Sequence, residues 1–244
     1  MEGFSFVIVC LITIICIFAI AFFCEKKLCR DIKQFSSTHY ISYTAIFACM
    51  SGVLMLLEFP LFFAPSFYKL DLSEMPVLIC TFYLGPVAGV SAELLKVLIK
   101  LLLKGTTTAF VGDFANFITG CSFILPASLI YHTRPGKSSA LWGMGTGTLC
   151  LAVFGSAFNA FYLIPKFAVL FGMPIDAIVA MGTGVNRMIT SLSTLVLFAV
   201  VPFNLLKGVL VSAITFLLYK RISPVLHKND AKKIQRRQEK NVNS

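Results

Sequence analysis

The chemistry available to this chain rests with a few polar residues set in apolar surroundings. Asn204 and Lys207 stand three apart in PFNLLKG (202–208), on one face of a helix and just after a proline that suits a helix start. An amide and an ammonium projecting together into an apolar bundle suit a polar ligand that is uncharged or weakly anionic. The plainer alternative is an interhelical hydrogen bond with a lysine reaching for the membrane edge. Asn159 lies in FGSAFNAFYLIP beside Phe158, Phe161 and Tyr162. Aromatic area with an orienting amide is what a planar heterocycle needs, although the same residues fit an aromatic belt at a membrane surface. Glu58, Glu93, Lys96, Lys100, Asp113 and Asn116 are further polar groups in or beside apolar stretches, where an unpaired group is costly and is driven to a partner or a cavity. Glu93, Lys96 and Lys100 fall at i, i+3 and i+7, one helical stripe, read either as an ion pair plus a lysine at an interface or as a contact for a partner protein.

Catalytic constellations are missing from the sequence. His39, His132 and His227 stand at expected membrane edges or in the tail, so no HExxH or Ser/His/Asp grouping assembles inside the membrane. GTTTAFVGD (105–113) lacks the Gly-Lys-Ser/Thr ending of a phosphate loop, and GMGTG (143–147) reads as close helix packing through small residues. The eight cysteines form no CxxC and behave as small hydrophobes. No enzymatic activity, metal site or resident cofactor is expected.

Composition says what must position these residues. The chain is 57% hydrophobic and 13% charged, with a mean hydropathy of +0.85, far from the balance of a soluble domain and opposite to that of a disordered one. It reads as an all-α integral membrane protein. The net charge of +10 arises from three segments, 24–34, 132–139 and 220–244, and the remainder is neutral. Basic clusters beside apolar spans mark cytoplasmic flanks, and without an RNA-type motif they do not indicate nucleic-acid binding.

An apolar run at 4–24 predicts an amino-terminal anchor helix with its start outside. Core spans follow at 41–59, 76–104, 110–131 and 140–165, with a last one ending at Tyr219. If 76–104 were one helix, the basic segments 24–34 and 132–139 would fall on opposite membrane faces. Two short helices meeting near Gly85–Gly89 put both inside. The expected architecture is six core helices plus the anchor, with loops 60–75, 104–110 and 166–188 outside. It divides into an anchor and basic flank (1–34), a membrane domain (35–223) and a basic cytoplasmic tail (224–244). In the first core helix Thr44, Ala48 and Gly52, and beside them Ala45 and Cys49, form small-residue stripes that permit close helix approach, within the chain or to another membrane protein.

The strings KLDLSEMPVLI (69–79), GPVAGV (85–90), KGTTTAFVGDFANFITG (104–120), FNAFYLIP (158–165) and VPFNLLKGVLVSAITFLLYKRIS (201–223) occur in consistent order over roughly residues 40–223. On them the chain resembles the riboflavin-specific substrate-binding (S) component of energy-coupling factor (ECF) transporters. The resemblance implies a six-helix bundle in the cell membrane that binds riboflavin from outside, as cargo rather than cofactor. It also implies docking on a transmembrane coupling protein of the EcfT type that carries two ATPase subunits. By motif match, Asn159, Asn204 and Lys207 become polar ligands, Asn116 joins the binding candidates, and Ala64, Phe67 and Tyr68 contribute a lid. Thr44, Ala45, Ala48, Cys49 and Gly52 become the docking stripe. The helix at 4–24 has no counterpart in the six-helix pattern. An S component for pantothenate, biotin or thiamine, or a structural or enzymatic membrane protein, are the alternatives.

Overall fold

The computed structural model describes residues 2–28, 37–61, 65 and 68–219. Ala64 and Phe67, most of the first basic segment and the tail from 220 lie outside the described residues. Helices dominate: α1 (Glu2–Leu28), α2 (Ser37–Leu56), α3 (Glu74–Leu84), α4 (Pro86–Lys104) and α5 (Val111–Thr133). They are followed by α6 (Lys137–Phe171), the short α7 (Ile175–Thr183) and α8 (Leu192–Tyr219). Of these, α1, α2, α5, α6 and α8 are long and apolar enough to cross a bilayer.

Between α2 and α3 the chain makes a small antiparallel hairpin, β1 (Phe59–Pro60) against β2 (Lys69–Leu70), with Phe59 opposite Leu70. It marks one end of the bundle. Gly85 divides 76–104 as the charge pattern requires: its φ of 108° is open only to glycine, and Pro86 then supplies the fixed φ of a helix start. At 11 residues α3 is only about 16 Å long, and it is buried along nearly its whole length. It forms the centre around which Ala48, Phe123, Ala127, Met144 and Val211 of the longer helices pack.

Among the described residues, the anchor helix α1 packs on the bundle along one stripe. Phe6, Cys10, Ile14, Ile17, Phe18 and Ala21 recur at helical spacing and meet α4 and α5. Phe6 meets Phe114 edge-on at 6.1 Å. At its far end Glu25 Oε2 accepts a hydrogen bond from Val87 N at 2.9 Å. That amide is one of the partnerless donors at the start of α4, where the helix dipole also favours a negative charge. The remaining faces of α1, including Leu11, Ile12, Ile15 and Phe22, point outward.

GMGTG works as the packing element expected: a Cβ on Gly143 or Gly147 would stand 2.5 Å from the carbonyl oxygens of Ala127 and Phe123, so α5 and α6 approach with no side chain between them. Where a loop is expected over 166–188, α6 instead continues to Phe171, stops at Gly172 in the left-handed conformation, and α7 follows. The sequence IPKFAVLF stays helical through Pro165 because a π turn at Asn159–Leu163 immediately precedes the proline. A wider turn accommodates the missing amide. The same device recurs in α8, where a π turn at Val196–Val200 precedes Pro202. Ile164, Ile178, Val179, Ile189, Leu195 and Ala199 close over these turns as a separate small core.

Candidate functional site

The two π turns place the polar residues. Asn159 opens the first and Asn204 lies just past the second. Both side chains are buried, and each bonds the end of the helix before the first turn: Ser156 Oγ accepts from Asn204 Nδ2 at 3.2 Å. Asn159 Nδ2 donates to the Gly155 carbonyl at 2.7 Å, and its Oδ1 accepts from the Tyr68 hydroxyl at 2.8 Å. Tyr68 is the last residue before β2. It is buried against Phe203 with ring centroids 5.4 Å apart, beside Val200, Leu61 and Leu70. The end of the hairpin is thereby held down on α8. Burial alone pushes the Tyr68 phenol above its ordinary pKa, so the hydroxyl stays a donor.

Lys207 is not the lone ammonium that its position suggests. Its Nζ lies 3.1 Å from Asp71 Oδ2 and 3.1 Å from Glu74 Oε1. Asp71 is fixed in turn, because its Oδ1 accepts from the amide (2.9 Å) and the hydroxyl of Ser73, while the Ser73 carbonyl accepts from Ser51 on α2. Glu74 Oε2 faces Lys96 Nζ at 2.5 Å, and Lys96 also meets Glu93 Oε1 at 2.5 Å, with both Lys96 and Glu93 wholly buried. Five ionisable side chains thus form one buried chain, Asp71–Lys207–Glu74–Lys96–Glu93. Such a chain holds only because each charge is paired, since the desolvation penalty of a lone one is several kcal/mol. Lys100, read as a lysine at an interface, pairs instead with Asp113 at 2.5 Å. Nearer the hairpin, Glu58 Oε1 accepts from Lys69 and Lys104.

Asn159, Asn204, Lys207 and Tyr68 are therefore brought to one place, at the hairpin end of the bundle. Asn116 is not joined to them: it is half-buried on α5, and its side chain makes no hydrogen bond to a described residue. The small-residue stripe on α2 is divided. Thr44, Ala48 and Gly52 turn inward, with Gly52 against Ile99 of α4, because the bundle needs its own close approach there; Ala45 and Cys49 face outward. Asp71, Glu74 and Ser156 belong to the site and were not among the expected residues. A signal for the first two exists. Outside the three basic segments the chain carries as many acidic as basic residues, so buried lysines imply carboxylate partners.

Fold and site define a membrane-embedded, all-α binding protein whose polar groups gather under a hairpin at one end. The family described as "ECF transporter, substrate-specific component" matches residues 39–219. "Riboflavin transporter RibU" of Staphylococcus aureus (strain TCH60) is 32% identical over 182 residues, covering 75% of this chain and 89% of that protein. "Riboflavin transporter FmnP" of Bacillus subtilis (strain 168) is 26% identical over 181 residues, covering 74% and 90%. A solved structure described as the S component of a bacterial ECF transporter superposes with a TM-score of 0.62 at 30% identity, covering 78% of this chain and 99% of that one. The chain belongs to the family of substrate-specific components of ECF transporters, multi-pass membrane proteins that work in transport rather than catalysis.

Proposed function

We propose that this chain is a riboflavin-binding S component. It captures the vitamin at the hairpin end, on the outer side of the membrane, and delivers it when docked on an EcfT-type coupling protein with two ATPase subunits. The observation that carries this reading is the convergence of Asn159, Asn204 and Lys207 under Tyr68. Riboflavin offers a flat ring system, a uracil-like edge with an N–H between two carbonyls, and a chain of hydroxyls. No described residue donates to Asn204 Oδ1, which suits it to accept that N–H, and the Lys207 ammonium has one N–H beyond its two carboxylate partners for a ring carbonyl or a hydroxyl. The rings of Tyr68 and Phe203 supply apolar area beside them. Names carried by the relatives support the choice of vitamin. The basic tail 224–244 faces the cytoplasm by the charge rule, and the anchor 1–34 is an addition to the binding domain 35–223.

Docking falls to the outward face of α2, where Ala45 and Cys49 leave room for a partner helix. The seat of α1 on α4 and α5 leaves that face clear. Purification in detergent tests the binding reading directly. A yellow protein that quenches the fluorescence of its flavin is expected; a colourless one that leaves added riboflavin fluorescence unchanged would sink it.

A further inference from the structure

We infer that Asp71 and Glu74 are positioning residues that set the charge of the ligand the site accepts. This deepens the riboflavin reading and rests on it. A buried ammonium standing alone in an apolar bundle is an anion site, because in a medium of low dielectric its field is barely screened. Lys207 is buried but does not stand alone, since two carboxylates hold its Nζ at 3.1 Å each. Across the whole buried chain the ammonium groups of Lys96 and Lys207 face the carboxyl groups of Asp71, Glu74 and Glu93, so no ammonium is left without an acidic partner. Lys207 therefore reaches a ligand as an oriented hydrogen-bond donor with its positive field cancelled. Two of its three N–H groups are directed at Asp71 and Glu74, and the third is left for the ligand.

Such a site favours an uncharged flavin and disfavours the same ring carrying a phosphate, whose charge is about −1.5 to −2 at neutral pH. Lys69 and Lys104 do not reverse this. They share Glu58, lie about two-fifths exposed, and are screened by solvent and salt. Asp71 is held by Ser73 at the start of α3 independently of Lys207. Its carboxylate is thus part of the scaffold rather than a counterion that follows the lysine.

The experiment titrates the full-length protein in detergent with riboflavin and, separately, with riboflavin 5′-phosphate, following quenching of flavin fluorescence, and compares the two dissociation constants. The wild type is expected to bind riboflavin more tightly. Asp71→Asn should narrow the preference by about tenfold, the order expected for one unit charge acting over a ligand's length at an effective dielectric near 20. Asp71→Glu should restore it and Lys207→Gln should widen it. Glu74→Gln gives the same reading as Asp71→Asn should the latter fail to fold. Equal affinity of the wild type for both flavins overturns the inference without any variant. So does an Asp71→Asn protein that loses both ligands in equal proportion, which is the signature of a purely structural role. A wild type that binds neither flavin fails at the earlier step and removes the riboflavin reading itself.

Discussion

Lys96 provides the sharpest test of the buried charge chain. Its ammonium is wholly buried, 2.5 Å from Glu74 and 2.5 Å from Glu93. At an effective dielectric near 20 each contact is worth roughly 7 kcal/mol of Coulomb attraction. Most of that is offset by the cost of stripping water from the ions, so the pairing adds little net stability while its rupture is expensive. Lys96→Met leaves three buried carboxyl groups facing one ammonium, and losing one partner of a buried pair costs about 3–5 kcal/mol. For a chain of this size that lowers the melting temperature by roughly 6–20 °C, measured by circular dichroism in detergent. Glu93→Gln instead removes a buried carboxyl whose oxygens accept no hydrogen bond among the described residues and should leave melting unchanged or raised. The double variant Lys96→Met/Glu93→Gln removes an acidic group together with the ammonium it faced and should recover part of the loss, a coupling that a double-mutant cycle isolates. A Glu93→Gln protein melting as low as Lys96→Met, or a double variant no better than the single, would refute the charge accounting.

Three further outcomes follow from the geometry. Asn204→Ala removes a buried amide from the site and should weaken riboflavin binding by about 1–3 kcal/mol, read by fluorescence titration; unchanged affinity removes Asn204 from the pocket. Ala45→Leu or Cys49→Leu should spare riboflavin binding yet block uptake by the assembled transporter, whereas Ala48→Leu, at a buried position, should lower the melting temperature. Normal uptake in both outward variants rejects that face of α2 as the docking surface. Burial raises the Glu58 carboxyl, but hydrogen bonds from Lys104 and Lys69 outweigh it and hold the group below the ordinary carboxylate range. The tether of the hairpin is then complete above the unfolded value and is lost as pH falls through the folded one. Hydrogen exchange across the hairpin should rise only in acid below that range and be fast at every pH in Glu58→Gln; a wild type that opens near neutrality contradicts the tether.

Much of the fold is written in apolar run lengths and charge. The break at Gly85 follows from the parity of the basic segments, and glycine supplies the backbone angle that the break needs. Asn159, Asn204 and Lys207 stand out as amides and an ammonium in apolar surroundings, whereas Tyr68 enters only through the family resemblance. What stays hidden is pairing across distance. Lys207 meets Asp71, 136 positions away, and no local period encodes that contact. Glu74 is obscured because it opens α3 where a loop is expected. Thr44 and Ala45 are adjacent, and only the seating of α2 on α4 decides which of them turns inward. The helical ending of α6 is concealed by Pro165, which reads as a stop unless the preceding π turn is known.

Each π turn amounts to one residue more than a regular helix would hold. Removing a single residue within Asn159–Leu163 would leave a continuous helix, but everything beyond it would swing by about 100° about the axis. Ile164, now buried beneath α7 and the start of α8, would be carried round to a different side, while Gly155 and Ser156 below the turn stayed where they are. The upper part of α6 is therefore indexed to the lower part by one residue, in the way a key's teeth are indexed to its shaft. A length change too small to alter span or hydropathy would leave the membrane topology intact while unseating the small core that roofs the site.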